Sequence, residues 1–123
     1  MIQCDTNFLV ALENPDSPAS ERFKVWLSAQ EEIRVSALVW TEYLCGPLPA
    51  TKLEAAEVLF PLRDPFLPED APLAARLFNA SGRRRGSMID CMIAATALRC
   101  RARFATLNQD DFKPFTDFGL ELV

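Results

Sequence analysis

Four segments of the chain place acidic side chains where they could do chemistry. Asp5 closes the apolar run Met1–Cys4, Glu42 sits in the apolar stretch Ala37–Cys45, Asp90 precedes the small apolar run Cys91–Leu98, and Asp110 and Asp111 follow Asn108. Carboxylate and amide oxygens are the ligands that hard divalent cations such as Mg²⁺ and Mn²⁺ prefer in octahedral geometry. The chain contains no histidine. That excludes imidazole-dependent triads, His-containing zinc sites and His-driven ribonuclease chemistry. Three or four carboxylates converging without histidine suit Mg²⁺ or Mn²⁺, and phosphodiester cleavage is a natural task for such a site.

Most of these acids also have an ordinary structural explanation. Asp5, Thr6 or Asn7 can cap a following helix. Ser87 to Asp90 reads as S-x-x-D, a variant capping box, and an acid suits the positive end of a helix. Asn108 to Asp111 has the composition of a turn. Glu42 is harder to absorb: its same-face neighbours are Leu38, Val39 and Cys45. On that apolar surface an unpaired carboxylate costs several kcal/mol or becomes protonated, and a divalent cation is an adequate partner. Asp90 shares its helix face with Ala94 and Ala97, which leaves open space beside its carboxylate.

These residues need elements to bring them together. A chain of 123 residues with 50% apolar content supports one domain, residues 1–123, with one core. Nine prolines cut it into helix-sized pieces. Met1–Cys4, Ile33–Val35, Phe104–Leu107 and Leu120–Val123 read as strands. Phe8–Leu12, Ser20–Gln30, Ala37–Cys45, Thr51–Phe60, Pro72–Ala80 and Cys91–Leu98 read as helices, with Leu53, Ala56 and Leu59 on one apolar face and Leu73, Leu77 and Phe78 on another. Strands alternating with helices predict a three-layer α/β domain with a mainly parallel central sheet flanked by helices. In such sheets ligands bind beyond the carboxyl ends of the strands, where Asp5 and the Asn108–Asp111 loop are both expected.

Charge is unevenly placed. The net charge is −4, but Arg76 to Arg103 holds seven arginines against one acid, Asp90, a local +6, while the remainder carries −10. The overall acidity therefore does not exclude a polyanionic partner, because an arginine-rich segment can hold a phosphate backbone. The four cysteines form no C-x-x-C pair and read as buried reduced thiols. With no basic leader-like start and no long apolar run, neither secretion nor membrane insertion is expected, and a cytoplasmic setting follows.

Taken in order, Asp5-Thr6-Asn7 after an apolar strand, Thr41-Glu42, Asp90-Cys91-Met92-Ile93-Ala94-Ala95-Thr96-Ala97-Leu98 and Thr106-Leu107-Asn108-Gln109-Asp110-Asp111-Phe112 resemble the motifs of PIN-domain ribonucleases. The size and the final short strand resemble the VapC-type toxins of toxin–antitoxin pairs. The resemblance implies a PIN-like fold and a metal-dependent endoribonuclease whose Mg²⁺ or Mn²⁺ is held by acids of these motifs. Asp5, Glu42 and Asp90 would be the principal acids. Asn108 departs from the fuller T-x-D pattern, so Asn108 with Asp110 or Asp111 is left to complete the metal site, Asp111 being the further catalytic candidate. Thr6, Asn7 and Thr106 would support these acids, and Arg83, Arg84 and Arg85 would bind RNA phosphates. The resemblance further implies an RNA substrate and a VapB-like antitoxin covering the cleft. It is compatible with a homodimer or a toxin–antitoxin hetero-oligomer. An RNA-processing PIN nuclease without toxin function and a catalytically inactive PIN-like RNA-binding or scaffold module are the alternatives.

Overall fold

Ile2–Cys4 forms strand β1, and all three of its residues are buried. This is the burial expected of a central strand covered on both faces. The computed structural model describes all 123 residues. After β1 the chain runs through helices α1 (Thr6–Ala11) and α2 (Pro18–Ser28), strand β2 (Ile33–Ser36), helices α3 (Ala37–Cys45) and α4 (Ala50–Leu59), and strand β3 (Arg63–Asp64). It continues through α5 (Asp70–Ala80), α6 (Met88–Arg99), β4 (Arg103–Ala105) and α7 (Gln109–Phe112), then a 3₁₀ segment (Lys113–Phe118) and β5 (Glu121–Leu122).

The five strands form one sheet in the order β3-β2-β1-β4-β5, and every pairing is parallel. The chain leaves β1 toward β2 and β3 on one side and returns to β4 and β5 on the other. The order therefore reverses between β1 and β4, where Ile2, Gln3 and Cys4 pair with Arg103, Phe104 and Ala105. A crevice opens at such a switch point, beyond the carboxyl ends of the strands.

Local signals account for most element ends. Ser17 and Ser36 cap α2 and α3 by accepting from the backbone N–H of Ser20 and Val39, both at 3.1 Å, and Pro18 takes the first turn of α2, where its missing N–H costs nothing. Gly119 has φ +97° and ends the 3₁₀ segment in the left-handed region. The core is rich in phenylalanine: Phe8, Phe60, Phe104, Phe112 and Phe115 are fully buried. The rings of Phe104 and Phe112 are 4.6 Å apart and fasten α7 against β4.

The parallel sheet flanked by helices agrees with the expected three-layer α/β fold, but several local expectations need correction. The edge strand β3 is absent from the expected strands, since two residues between prolines carry no periodicity. The strand expected over Phe104–Leu107 stops at Ala105, and the expected loop Asn108–Asp111 is largely the helix α7. Helix α6 starts at Met88, so Asp90 lies within its first turn. Ser87 makes no capping bond; its hydroxyl donates instead to the Arg84 carbonyl at 2.7 Å. Only Ala56 of the apolar face expected on α4 is buried. Cys4 and Cys91 are buried, Cys100 is partly buried, and Cys45 is exposed because it ends α3 outside the Val39–Tyr43 stripe. No helix is long and apolar enough to cross a membrane.

The seat of α7 can be tested. Phe112→Ala removes a ring packed against both Phe104 and Phe115 and is expected to lower the unfolding free energy by about 3–5 kcal/mol in urea denaturation. A loss under about 1 kcal/mol contradicts that anchoring role.

Candidate active site

The backbone N–H of Asp5 donates to the Ala105 carbonyl at 2.8 Å, tying the end of β1 to the end of β4. Asp5 is buried and caps α1, its Oδ1 accepting from the Thr6 N–H at 2.8 Å. The capping explanation and the site explanation thus hold together for this residue. Its Oδ2 accepts from the Thr106 hydroxyl at 2.8 Å. That hydroxyl also accepts from the Asn108 N–H at 3.0 Å and the Asn7 side-chain amide at 3.2 Å. One proton and two lone pairs are then in use, so Thr106 is saturated and has one orientation. Asn7 completes the clamp, its Oδ1 accepting from the Leu107 N–H at 2.9 Å.

Glu42 does not lie buried on an apolar surface. The buried stripe of α3 is Val39 and Tyr43; Glu42 stands beside it, exposed at the mouth of the cleft, and accepts from the Thr6 hydroxyl at 2.7 Å. Asp90 approaches from α6 and is half-buried. Burial, and then the charges of Asp5, Asp111 and Glu42, push its carboxyl up to about 6, opposed by Arg84. No hydrogen bond relieves it. Asp5 is also raised, chiefly by burial and further by Glu42, against the lowering effect of its bonds from Thr106, Thr6 and Asn7.

Asp5, Thr6, Asn7, Glu42, Asp90, Asn108 and Asp111 line a cleft of about 420 Å³ together with Val10 and Phe112. Of the expected acids, the one outside it is Asp110. Successive helical residues point about 100° apart, and Asp110 is exposed, lining a neighbouring depression of about 80 Å³ with Ser81, Arg84 and Ser87. Val10 was missed as a lining residue, although its place one turn beyond Thr6 puts it on the same face. Phe112 had no sequence signal beyond its apolarity.

The arginines are more dispersed than their spacing suggested. Arg99 pairs with Asp70 at 2.7 Å, Arg103 with Glu31, and Arg76 lies 5.8 Å from the Phe118 ring centre. Within the Ser81–Gly86 loop, Arg83 bonds Asn79 and covers Phe78, turning back onto α5. Arg84 alone of the three reaches the cleft, where Nη1 donates to Asp111 Oδ1 at 3.1 Å. Asn108 donates to the other Asp111 oxygen. Arg85 is exposed.

Every ligand-capable side-chain atom facing this cleft is an oxygen, and burial, followed by repulsion from the neighbouring acids, raises Asp90 while no hydrogen-bond donor answers it. This chemistry fits a hard divalent cation held by Asp5, Glu42, Asp90 and Asp111 with Asn108. No three acids are gathered around one point; Asp111 is tied to Arg84 and Asn108, and Glu42 to Thr6. The thiols of Cys4 and Cys91 are pushed up by burial and are not suited to act as nucleophiles.

The raised carboxyl of Asp90 makes stability depend on pH. Below its ordinary value of 3.8 it is protonated whether the chain is folded or not; as pH rises through about 6 the folded state must ionise it, and stability is lost. In chelator-treated protein, Asp90→Asn is expected to raise the unfolding free energy by ~1–3 kcal/mol at about pH 8, with the gain vanishing toward about pH 4. Chemical denaturation at both values checks this; a gain independent of pH contradicts it.

The PIN domain family matches residues 2–116 of the chain. No curated protein matches it. Among solved structures, a VapBC complex of Rickettsia felis bound to promoter DNA aligns over 100% of this chain and 98% of that one, with TM-score 0.78 and 22% identity. A toxin–antitoxin complex from Klebsiella pneumoniae covers 91% of this chain and 90% of its own, with TM-score 0.74 and 20% identity. A VapC toxin of Mycobacterium tuberculosis that cleaves the sarcin–ricin loop covers 100% and 98%, with TM-score 0.68 and 20% identity. At these identities the likeness is one of fold, whereas the family match spans nearly the whole chain. With its all-parallel sheet and the order β3-β2-β1-β4-β5, the chain belongs to the PIN-domain family.

Proposed function

We propose that the chain is a VapC-type toxin of a toxin–antitoxin pair, a metal-dependent endoribonuclease that hydrolyses RNA phosphodiester bonds at the Asp5–Glu42–Asp90–Asp111 cleft. The observation that carries this reading is Asp90: a half-buried carboxylate, raised to about 6, faced by three more acids and answered by no hydrogen bond. A structural carboxylate has a donor; one that lacks it among like charges calls for a cation. Toxin–antitoxin proteins among the structural relatives support the biological setting.

The geometry supports a role for each residue in this reading. Asp5 and Asp90 are the inner ligands, and Thr106 with Asn7 holds Asp5 in register. Glu42 and Asp111 stand at the mouth on tethers that a cation can replace, and Asn108 contributes an uncharged oxygen. Bound Mg²⁺ or Mn²⁺ would supply a more acidic water and a Lewis acid at the phosphodiester. Arg84 and Arg85 serve the phosphate backbone, whereas Arg83, engaged by Asn79 and Phe78, contributes less. Attack on phosphorus by water leaves a 5′-phosphate and a 3′-hydroxyl. A VapB-like antitoxin has a place to dock: an apolar groove of about 220 Å³, lined by Leu9, Leu12, Tyr43, Leu59 and Phe60, lies between α1, α3 and α4. Val58 beside it is 80% exposed. An amphipathic helix suits such a groove.

A second reading, an inactive RNA-binding module, is favoured by one feature: Asn108 stands where a fuller motif carries a charge. Cleavage of a mixed RNA pool with Mg²⁺ or Mn²⁺ separates the two. The purified chain, freed of any antitoxin, is expected to cut, with Asp5→Asn and Asp90→Asn at least about 100-fold slower and Thr106→Val about 10–100-fold slower. A wild type inert with every metal, or both Asn variants cutting normally, rejects nuclease function. Growth arrest on expression then distinguishes a toxin from an RNA-processing nuclease.

A further inference from the structure

Asp111 is the one cleft acid bound by a cationic side chain, and that side chain is the one loop arginine that reaches the cleft. We propose that Arg84 is an exchangeable counter-ion of the metal site: it holds Asp111 until a divalent cation takes that carboxylate, and the released guanidinium then binds an RNA phosphate, so that metal and RNA bind cooperatively. The inference rests on the reading of the cleft as a metal site and goes beyond it, by assigning one residue to couple two ligands.

Three observations carry it. The pair is weak by construction: Arg84 and Asp111 are 56% and 30% exposed in their side chains, and pairs of that kind contribute only a few tenths of a kcal/mol to about one. A divalent cation in the cleft, with twice the charge, attracts Asp111 more strongly than a solvated guanidinium does. Second, the arginine backbone is pinned while its side chain is held only by the exposed pair with Asp111. The Arg84 carbonyl accepts from both the N–H and the hydroxyl of Ser87, at 3.2 and 2.7 Å, and Ser87 is buried. The guanidinium therefore pivots from a fixed base at the rim. Third, Asp111 lines both the cleft and the small depression that holds Arg84, Ser81 and Ser87. The arginine is thus already beside the place where a phosphate next to the cleft would lie. Exchange replaces one exposed ion pair by a carboxylate–metal contact and a charge-assisted guanidinium–phosphate contact. By linkage each ligand then strengthens the other by the same factor.

The neighbours supply charge-matched controls. Arg85 carries the same charge in the same loop, and Asp110 the same charge beside Asp111 but outside the cleft. Mn²⁺ binding to the metal-free protein, followed by electron paramagnetic resonance of the free ion, is expected to tighten about 2- to 5-fold in Arg84→Ala. It should change much less in Arg85→Ala, and the gain should disappear when Asp111→Asn is added. In EDTA, a 2′-O-methylated single-stranded RNA is expected to bind Asp111→Asn about 2- to 5-fold more tightly than wild type. Asp110→Asn should gain less, and the gain should require Arg84. Equal effects of Arg84→Ala and Arg85→Ala, or a gain that survives in the Asp111→Asn background, reduce the effect to general charge and overturn the exchange. Absence of Mn²⁺ binding by wild type, or binding that Asp5→Asn and Asp90→Asn leave intact, overturns the metal site itself and the exchange with it. Those outcomes are distinct from a site that binds Mn²⁺ but ignores Arg84.

Discussion

The structure turns on how the ends of β1 and β4 are joined. These adjacent parallel strands are separated by about a hundred residues of chain, and they are locked at their carboxyl ends by the Asp5 N–H to Ala105 and by the Thr106 hydroxyl to Asp5. Burial of a carboxylate at that junction raises it, and the bonds from the Thr106 hydroxyl and Thr6 N–H oppose that rise. The same bonds stop Asp5 from turning away. The group that most constrains the fold locally is therefore also the group that most constrains the site. Asn7 extends the constraint by bridging Thr106 and the backbone of Leu107, which fixes the start of α7 and the path to Asp111.

From that fixed point the acids differ in how they are restrained, and the differences follow burial. Asp5 is deep and accepts one hydrogen bond at each carboxylate oxygen. Asp90 is intermediate and accepts no hydrogen bond; burial beside the packed face of α6, whose residues Cys91 and Ile93 to Ala97 are all buried, raises it first and its neighbours' charges further. Glu42 is exposed and Asp111 part-exposed, and both are held by replaceable partners on the protein, Thr6 for one, Arg84 and Asn108 for the other. A cluster of like charges is tolerated because its members are graded in this way: the deepest carboxylate is hydrogen-bonded, one half-buried carboxylate carries an unrelieved cost, and the outer two are more exposed and held by protein donors. The small side chains of Ala94 and Ala97 matter here as packing, since they let α6 approach closely enough to present Asp90 at the strand ends.

Much of this was legible in the residues. Asp5 and the Asn108 segment were expected to meet because strand–helix alternation implies a parallel sheet and its switch point, and they do meet. Ala37–Cys45 forms the helix that its pattern implied. What escaped notice is short or relational. Arg63–Asp64 is too brief to show a period of two, and Asp110 and Asp111 cannot be told apart until the turn of α7 is known. The solvent exposure of Glu42 depends on which stripe of α3 faces the core, and its nine residues allow more than one choice. The link from Arg84 to Asp111 crosses 27 positions with no local signal.

The arginine-rich segment shows the same limit in electrostatic form. Its local charge of +6 along the chain suggested one cationic surface. In space it divides among separate tasks: Arg99 answers buried Asp70, Arg103 answers Glu31 beside the sheet, and Arg76 and Arg83 cover aromatic rings. A linear charge count cannot see this because each helix turn and crossover sends neighbouring residues to different surfaces. The cationic field at the cleft is therefore small and local, set by the Gly82–Gly86 loop rather than by the whole segment. At the Debye length of physiological salt, about 8 Å, such a field acts only on groups in near contact. Specific placement of Arg84, and not bulk positive charge, is what lets an acidic protein present a guanidinium at the rim of a carboxylate cleft.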